Sequence, residues 1–321
     1  MSISVDDSFL DSTGATDELA EDARTGLTST PKSLPPRWFY DARGSELFEQ
    51  ITELPEYYPT RTEAQILRTH ARDIASAAPV ETVIELGSGS SSKTQLLLDA
   101  WQQGGTLRRI ITMDVSTSAL ADAAVGLAAR YPAADVRPIR ADFTRHLDGL
   151  AKSGRTAIVF LGSTIGNLDP AERAAFFGGV RSALKPGDVL LLGTDLVKPA
   201  EILVPAYDDA AGVTAAFNLN VLRVLNRELG GDLPIEAFDH RAVWNPAAER
   251  IEMRLRAGRE IQARFSRIGL DVHFDAGEEL LTEISSKFRR DGITAELASA
   301  GLNLTNWWTD PADLFALSLS Q

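Results

Sequence analysis

Residues 82–101, TVIELGSGSSSKTQLLLDAW, decide how the rest of this 321-residue chain is read. A short apolar run ends in a glycine-rich turn, and a helix-like pattern starts at once. That succession is the pattern of a nucleotide-binding loop, where glycine permits a close backbone approach that a Cβ would block. Further along, RIITMDV, DVRPI, AIVFLGS and DVLLLGTDL also read as strands. Helix-like segments such as TSALADAAVGLAARY and PAERAAFFGGVRSAL separate them. Strands alternating with helices imply an α/β fold with a doubly wound, mostly parallel sheet and right-handed crossovers.

The alternation stops after Asp195. GVTAAFNLNVLRVLNREL reads as a helix, and HRAVWNPAAERIEMRLRA and EIQARFSRIGLDVHFD read as antiparallel hairpins. The chain then offers a helix, KFRRDGITAELASAG, and two strands, LNLTNWWTD and FALSLS, whose short connection demands antiparallel pairing. Upstream of the loop, roughly the first 25 residues are acidic and polar and read as a loosely held helix. TPKSLPPRWFYD is a proline-stiffened connector and ELFEQITEL a short amphipathic helix. Thr60 or Thr62 can cap a further helix over 63–77. The expected division is a nucleotide-binding domain of 62–196 and 287–321, and a second α+β, substrate-binding domain of 1–61 and 197–286.

Composition narrows the function. With 44% hydrophobic and 24% charged residues the chain is an ordinary soluble globular protein. No apolar run approaches the ~20 residues of a membrane span. The N-terminus lacks the basic and apolar regions of a signal peptide, so nothing points to export. The absence of cysteine rules out disulfides, thiolate metal sites and cysteine nucleophiles, and fits a reducing cytoplasm. A net charge of −13 disfavours nucleic acid and reads as solubility. His70, His146, His240 and His273 show no metal-ligand spacing and read as surface or hydrogen-bonded residues. The expectation is a monomer acting on a small molecule, with no metal, membrane or nucleic-acid partner.

Two cofactor classes compete for the loop. Dinucleotide enzymes use G-x-G-x-x-G, but after Gly87 and Gly89 the third position here is Ser92. The other class explains Glu85, an acid inside the strand two residues before Gly87. ELGSGS resembles the first motif of class I methyltransferases, Rossmann-like proteins that bind S-adenosylmethionine. Asp114 ends the next strand, where a carboxylate can take both ribose hydroxyls of either cofactor. ADF (141–143) ends the third strand. The resemblance implies that Asp142 faces the adenine amino group and that Phe143 packs on the ring. An antiparallel final hairpin is a further hallmark of that fold. A Gly-x-Gly loop alone is weak; the loop, both acids and the hairpin together are strong.

The resemblance then becomes closer. PKSLPPRWFYD, GSELFEQITELPEYYPTRTEAQIL, VFLGSTIGNLDP, LLLGTDLVK, AYDDAAGVTAAFN, ERIEMRLRA and GEELLTEISSKFR are similar to the L-histidine Nα-methyltransferases of ergothioneine biosynthesis. That likeness covers nearly the whole chain. It implies transfer of three methyl groups from S-adenosylmethionine to the α-amine of histidine, leaving S-adenosylhomocysteine. It gives Asn167, in STIGN, the amine and carboxylate of the amino acid, with the Gly162 carbonyl and the Tyr207 hydroxyl beside it. Asn167 could otherwise cap the helix starting near Pro170. Glu283 and Ser285, two apart in LTEIS, share a face if the stretch is extended, and can bind an imidazole N–H. Glu283 also has the reading of an exposed acid in an acidic run. The resemblance adds Tyr57 at the other ring nitrogen, Thr214 through water, and Phe48 and Met253 as walls. Core packing explains Met253 nearly as well. Tyr40 and Lys93 are cofactor candidates on the same ground, although a solvent-exposed Lys93 is an equal reading of the sequence. The alternatives are a methyltransferase for another amino acid or amine, and a non-catalytic cofactor-binding subunit.

Overall fold

The computed structural model describes residues 5–6, 14–88, 91, 93–115, 117–143, 147 and 154–321. Gly89, Ser92 and His146, singled out above, lie outside the described residues. The chain divides into two compact units. One comprises Met1–Leu10, Pro59–Val197 and Lys287–Gln321; the other comprises Asp11–Tyr58 and Lys198–Ser286. None of the described helices is long and apolar enough to cross a membrane.

The first unit is a seven-stranded sheet. From one edge its strands are Leu304–Thr309, Phe315–Ser320, Val189–Asp195, Thr156–Phe160, Thr82–Leu86, Arg109–Asp114 and Asp135–Arg140. Phe315–Ser320 runs antiparallel to both neighbours, and the other strand pairs are parallel. This is the doubly wound, Rossmann-like order with an antiparallel final hairpin expected for class I methyltransferases. Thr82–Leu86 is buried along its whole length, as a central parallel strand must be when helices cover both faces. Its side chains alternate between two cores. Val83 joins Ile66, Leu67, Leu97 and Trp101, whereas Ile84 and Leu86 join Phe176, Phe177, Val180 and Ile293. The strand order runs outward in both directions from this strand, so its carboxyl end is the topological switch point where ligands bind.

The second unit holds a four-stranded sheet in the order Lys32–Ser33, Glu279–Ser286, Arg250–Ala257 and Phe238–Asn245. The hairpin Ile261–Phe265 with Leu270–Phe274 stands beside it as a separate two-stranded sheet. Both expected hairpins are present. The parallel pairing of Lys32 with Leu280 is a long-range contact that local patterning does not announce. The helix Val213–Leu229 buries Phe217, Val221, Leu222 and Leu225.

Three local expectations are corrected. The helix expected over 63–77 spans Tyr58–Ala77, so neither Thr60 nor Thr62 caps it. Pro59 falls in its first turn, where a missing N–H costs no intrahelical bond. The N-terminal helix, Gly14–Thr28, is not loosely held, because Leu19, Ala23 and Leu27 are buried. Finally, Asp6 belongs with the first unit: its N–H donates to Pro138 O and its carbonyl accepts from Arg140 N, both at 2.9 Å. It covers part of the open edge of Asp135–Arg140.

Candidate functional site

In the first unit the chain turns sharply after Leu86. Gly87 adopts φ +65°, which L side chains rarely take, and Gly87 N and Ser88 N both donate to Met113 O (2.8 and 3.1 Å). Glu85, one residue before Leu86, is buried and is the anchor of the loop. Ser91 Oγ donates to it at 2.7 Å, and Thr94 Oγ1 donates to its other oxygen. Burial pushes the Glu85 carboxyl up to about 7. The Ser91 and Thr94 hydroxyls and the Lys93 charge pull in the opposite direction, while Asp114 adds to the rise. The acid inside the strand therefore ties the loop to the first turn of the helix Thr94–Gln103.

Asp114 ends the adjacent strand half-buried, and its carbonyl accepts from Ala141 N at 3.1 Å, which brings Asp142 alongside. Phe143 packs on Phe160 and Phe176, with ring centroids 5.0 and 6.4 Å away. A Cβ at Gly87 would lie 3.7 Å from Phe143 Cε1, so the glycine turn and the aromatic ring are neighbours. A glycine turn, two strand-end acids and an aromatic ring fit a nucleoside with a ribose diol and an adenine.

A second cluster in the same unit went unseen in the sequence. Glu63 is fully buried, and both its oxygens accept from Gly162 N (2.9 and 3.0 Å) while Lys93 Nζ donates at 2.5 Å. Lys93 is thus oriented by a carboxylate rather than simply solvated. Gly193 leaves room beside it: a Cβ there would stand 2.2 Å from Glu63 Oε1, so the carboxylate would have to shift. The signal available was an acid on the apolar face of a helix, at i, i+3 and i+4 with Ile66 and Leu67. After Gly162 comes a single helical turn, Thr164–Asn167, entered through Ser163 at φ 56°. Ser163 Oγ accepts from Asp195 N at 2.9 Å. Asn167 is half-buried, and its amide makes no hydrogen bond to any described residue. It does not cap the helix Pro170–Ala183, because Asp169 does so in a complete capping box with Glu172.

In the second unit four of the expected acceptor residues, Tyr207, Ser285, Tyr57 and Phe48, lie together. Tyr207 Oη and Ser285 Oγ are 2.8 Å apart, and the Tyr57 ring stands edge-on to Tyr207 at 6.2 Å. Phe48 packs on Tyr57 at 6.4 Å and on Tyr40 at 5.7 Å, and Phe217 lies against both Phe48 and Tyr40. Tyr40, proposed for the cofactor, therefore sits in the aromatic cluster of this unit. Glu283 is buried opposite Met253 across the sheet, and Ser285 pairs with Ile251. Met253 is buried as well, as both of its readings require.

Thr214 lies at the start of the helix Val213–Leu229, where Asp209 accepts from Thr214 N and Val213 N at 2.8 and 3.0 Å. Burial alone would raise the Asp209 carboxyl; donation from Thr214 and Val213 holds it below the ordinary value. The buried Thr214 hydroxyl is close enough to Asp209 to add to that effect, yet lies outside hydrogen-bond geometry. His240, set aside in the sequence as surface or hydrogen-bonded, is hydrogen-bonded: Nε2 to Tyr207 O and Nδ1 to Asn218, both at 2.8 Å. Neither Asn218 nor Thr282 carried a motif.

Over residues 19–321 the chain matches the family described as histidine-specific methyltransferase, SAM-dependent. It is similar to the histidine N-alpha-methyltransferase of Mycolicibacterium smegmatis, 56% identical over 97% of each chain. It is 54% identical to the enzyme of that name from Mycobacterium tuberculosis, over 94% of each chain. It also matches ergothioneine biosynthesis protein 1 of Neurospora crassa, at 34% identity over 87% of this chain and 32% of that one. A solved S-adenosylmethionine-dependent methyltransferase from Clostridium acetobutylicum aligns over 86% of this chain and 98% of its own, at 12% identity and TM-score 0.49. A match that runs through both units at more than half identity leaves one conclusion: this chain belongs to the S-adenosylmethionine-dependent, histidine-specific methyltransferase family.

Proposed function

We propose that this enzyme transfers three methyl groups in succession from S-adenosylmethionine to the α-amine of L-histidine. The product is the trimethylated betaine hercynine, a step of ergothioneine biosynthesis. The observation that carries this reading is the extent of the family match, which runs through both units and includes the whole of 198–286, where Tyr207, Thr214, Met253, Glu283 and Ser285 lie. A nucleotide-binding unit alone would serve many acceptors.

S-adenosylmethionine supplies a methyl carbon made electrophilic by its sulfonium. The chain has to bind it, and has to align an unprotonated amine with the C–S bond. For binding we assign Asp114 to the ribose hydroxyls, Asp142 to the adenine amino group, Phe143 to the adenine ring and Gly87 to the close backbone approach. Lys93 takes the methionine carboxylate and Tyr40 completes the set. The fixed direction of Lys93, held by Glu63, supports its part.

For the acceptor we assign Asn167 and Tyr207 to the amine and carboxylate, with the Gly162 carbonyl as a further acceptor for the amine protons. Among the described residues the amide of Asn167 has no hydrogen-bond partner, which supports this role. Neutral partners suit repeated methylation, since each hydrogen bond is given up as a methyl replaces a proton. The released protons pass to solvent. Glu283 and Ser285 hold one ring nitrogen, Tyr57 the other, with Thr214 acting through water and Phe48 and Met253 as walls. Glu283 and Ser285 project from one face of their strand, which supports a paired role. We further propose a cytoplasmic monomer, to be tested by fractionation and sedimentation. Mass spectrometry of histidine incubated with excess S-adenosylmethionine tests the reaction: trimethylhistidine should be the end product, and monomethylhistidine alone at full conversion would contradict it.

A further inference from the structure

The strand Glu279–Ser286 contains an irregularity that decides where Glu283 points. Against Arg250–Ala257 it pairs Leu280 with Leu255 and Leu281 with Arg254, and then Glu283, not Thr282, with Met253. Thr282 is the extra residue of a β-bulge. Directly paired residues of antiparallel strands project to the same face, so Glu283 shares the face of Met253 and Leu255. In an unbroken register Thr282 would pair with Met253, and Glu283 with Glu252 on the opposite face. A single inserted residue therefore aims the carboxylate.

A chain of buried polar groups holds that residue. Thr282 Oγ lies 2.7 Å from Asn218 Oδ1 and 3.0 Å from Met253 O, so its one proton is shared by two acceptors. Asn218 Nδ2 spends its two protons on His240 Nδ1 (2.8 Å) and Arg254 O (3.2 Å). His240 Nδ1 must then accept, which leaves its proton on Nε2 to donate to Tyr207 O at 2.8 Å. Asn218 and Thr282 are buried, and the His240 side chain is only 2% exposed. Asp208, with Oδ1 3.9 Å from Nε2, and Asp209 are the charged groups facing the ring, and burial nevertheless holds the imidazole below its ordinary value.

We propose that Thr282, Asn218 and His240 are specificity-determining positioning residues. They lock the bulge that aims Glu283, and tie it to the backbone of Tyr207. The inference rests on the reading of Glu283 and Tyr207 as histidine-binding residues. It concerns three side chains that act through them.

The test compares Thr282→Val, which keeps the β-branched shape and removes the hydroxyl, with Thr282→Ser, which keeps the hydroxyl and loses a methyl. In steady-state kinetics Thr282→Val should raise KM for histidine about tenfold or more and narrow the preference over phenylalanine, because Asn218 is left unsatisfied. Thr282→Ser should stay within about threefold of wild type, and cofactor affinity should be unchanged in both. A packing role predicts the reverse order, with valine tolerated and serine impaired; that result, or no effect of either variant, would overturn the proposal. Imidazole ¹⁵N spectra, assigned with His240→Gln, give a second readout. His240 should be neutral with its proton on Nε2, and an Nδ1-protonated ring or an imidazolium at neutral pH would overturn the network. A wild-type protein inactive on histidine would sink both this inference and the functional reading. An active wild type with an unaltered Thr282→Val would sink this inference alone.

Discussion

Glu85 shows how one residue can couple the cofactor loop to pH. Its carboxyl is raised from 4.5 to about 7, chiefly by burial. A raised carboxyl favours the protonated fold. Its stabilising contribution is therefore full below the ordinary value and is lost as pH climbs through about 7. Linkage gives a loss on the order of 3 kcal/mol across that window. Glu85→Gln cannot ionise, so urea unfolding of both proteins at several pH values should show wild type losing stability relative to the variant between pH 4.5 and about 7. A constant difference would contradict the assignment. Asp114 makes a separate prediction: Asp114→Ala should weaken S-adenosylmethionine binding by about 2–3 kcal/mol in calorimetry, as two ribose hydroxyls lose a charged acceptor. Residues such as Glu85, Asp114 and Asp142 were legible as acids because each sits in, at the end of or just after a strand marked by its own neighbours in sequence. Glu63 was not, since its partners are 30 and 99 residues away and only the fold brings them to it.

Among the elements, the turn Thr164–Asn167 and the helix after it separate two roles that the sequence left open for Asn167. Asp169 supplies the cap: Asp169→Ala should cost about 1 kcal/mol in chemical denaturation while kcat/KM stays near wild type. Asn167→Ala should do the opposite, leaving stability nearly unchanged and lowering kcat/KM by about a hundredfold, as an interaction with the reacting amine is lost. Matching losses of stability in the two variants would return Asn167 to a structural part. The strands and helices of the first unit were legible from period and punctuation alone. Two features of the second unit were not. The parallel Lys32–Leu280 pairing joins segments far apart in sequence, and the bulge at Thr282 appears only when a partner strand fixes the register. LTEIS suggested that Glu283 and Ser285 share a face, and they do; which face is decided by Thr282.

At the scale of the whole molecule, the chain is built from two discontinuous units, and the family match spans both. Distinct residues proposed for the cofactor and for the imidazole imply separable defects. Glu283→Ala should raise KM for histidine strongly while cofactor affinity holds, because Glu283 is proposed for the imidazole and not for the cofactor. It should also narrow the gap to phenylalanine and tryptophan, since the carboxylate that favours a ring N–H over an apolar ring is gone. Ser285→Ala should act in the same direction but less, as it removes a neutral hydrogen bond. The measurement that bears most directly on the whole is methyl transfer from labelled S-adenosylmethionine to a panel of free amino acids by the wild-type protein. Histidine should be the preferred acceptor and should accumulate three labelled methyl groups on its α-nitrogen; no transfer to histidine, or transfer to phenylalanine or tryptophan at an equal kcat/KM, would contradict it.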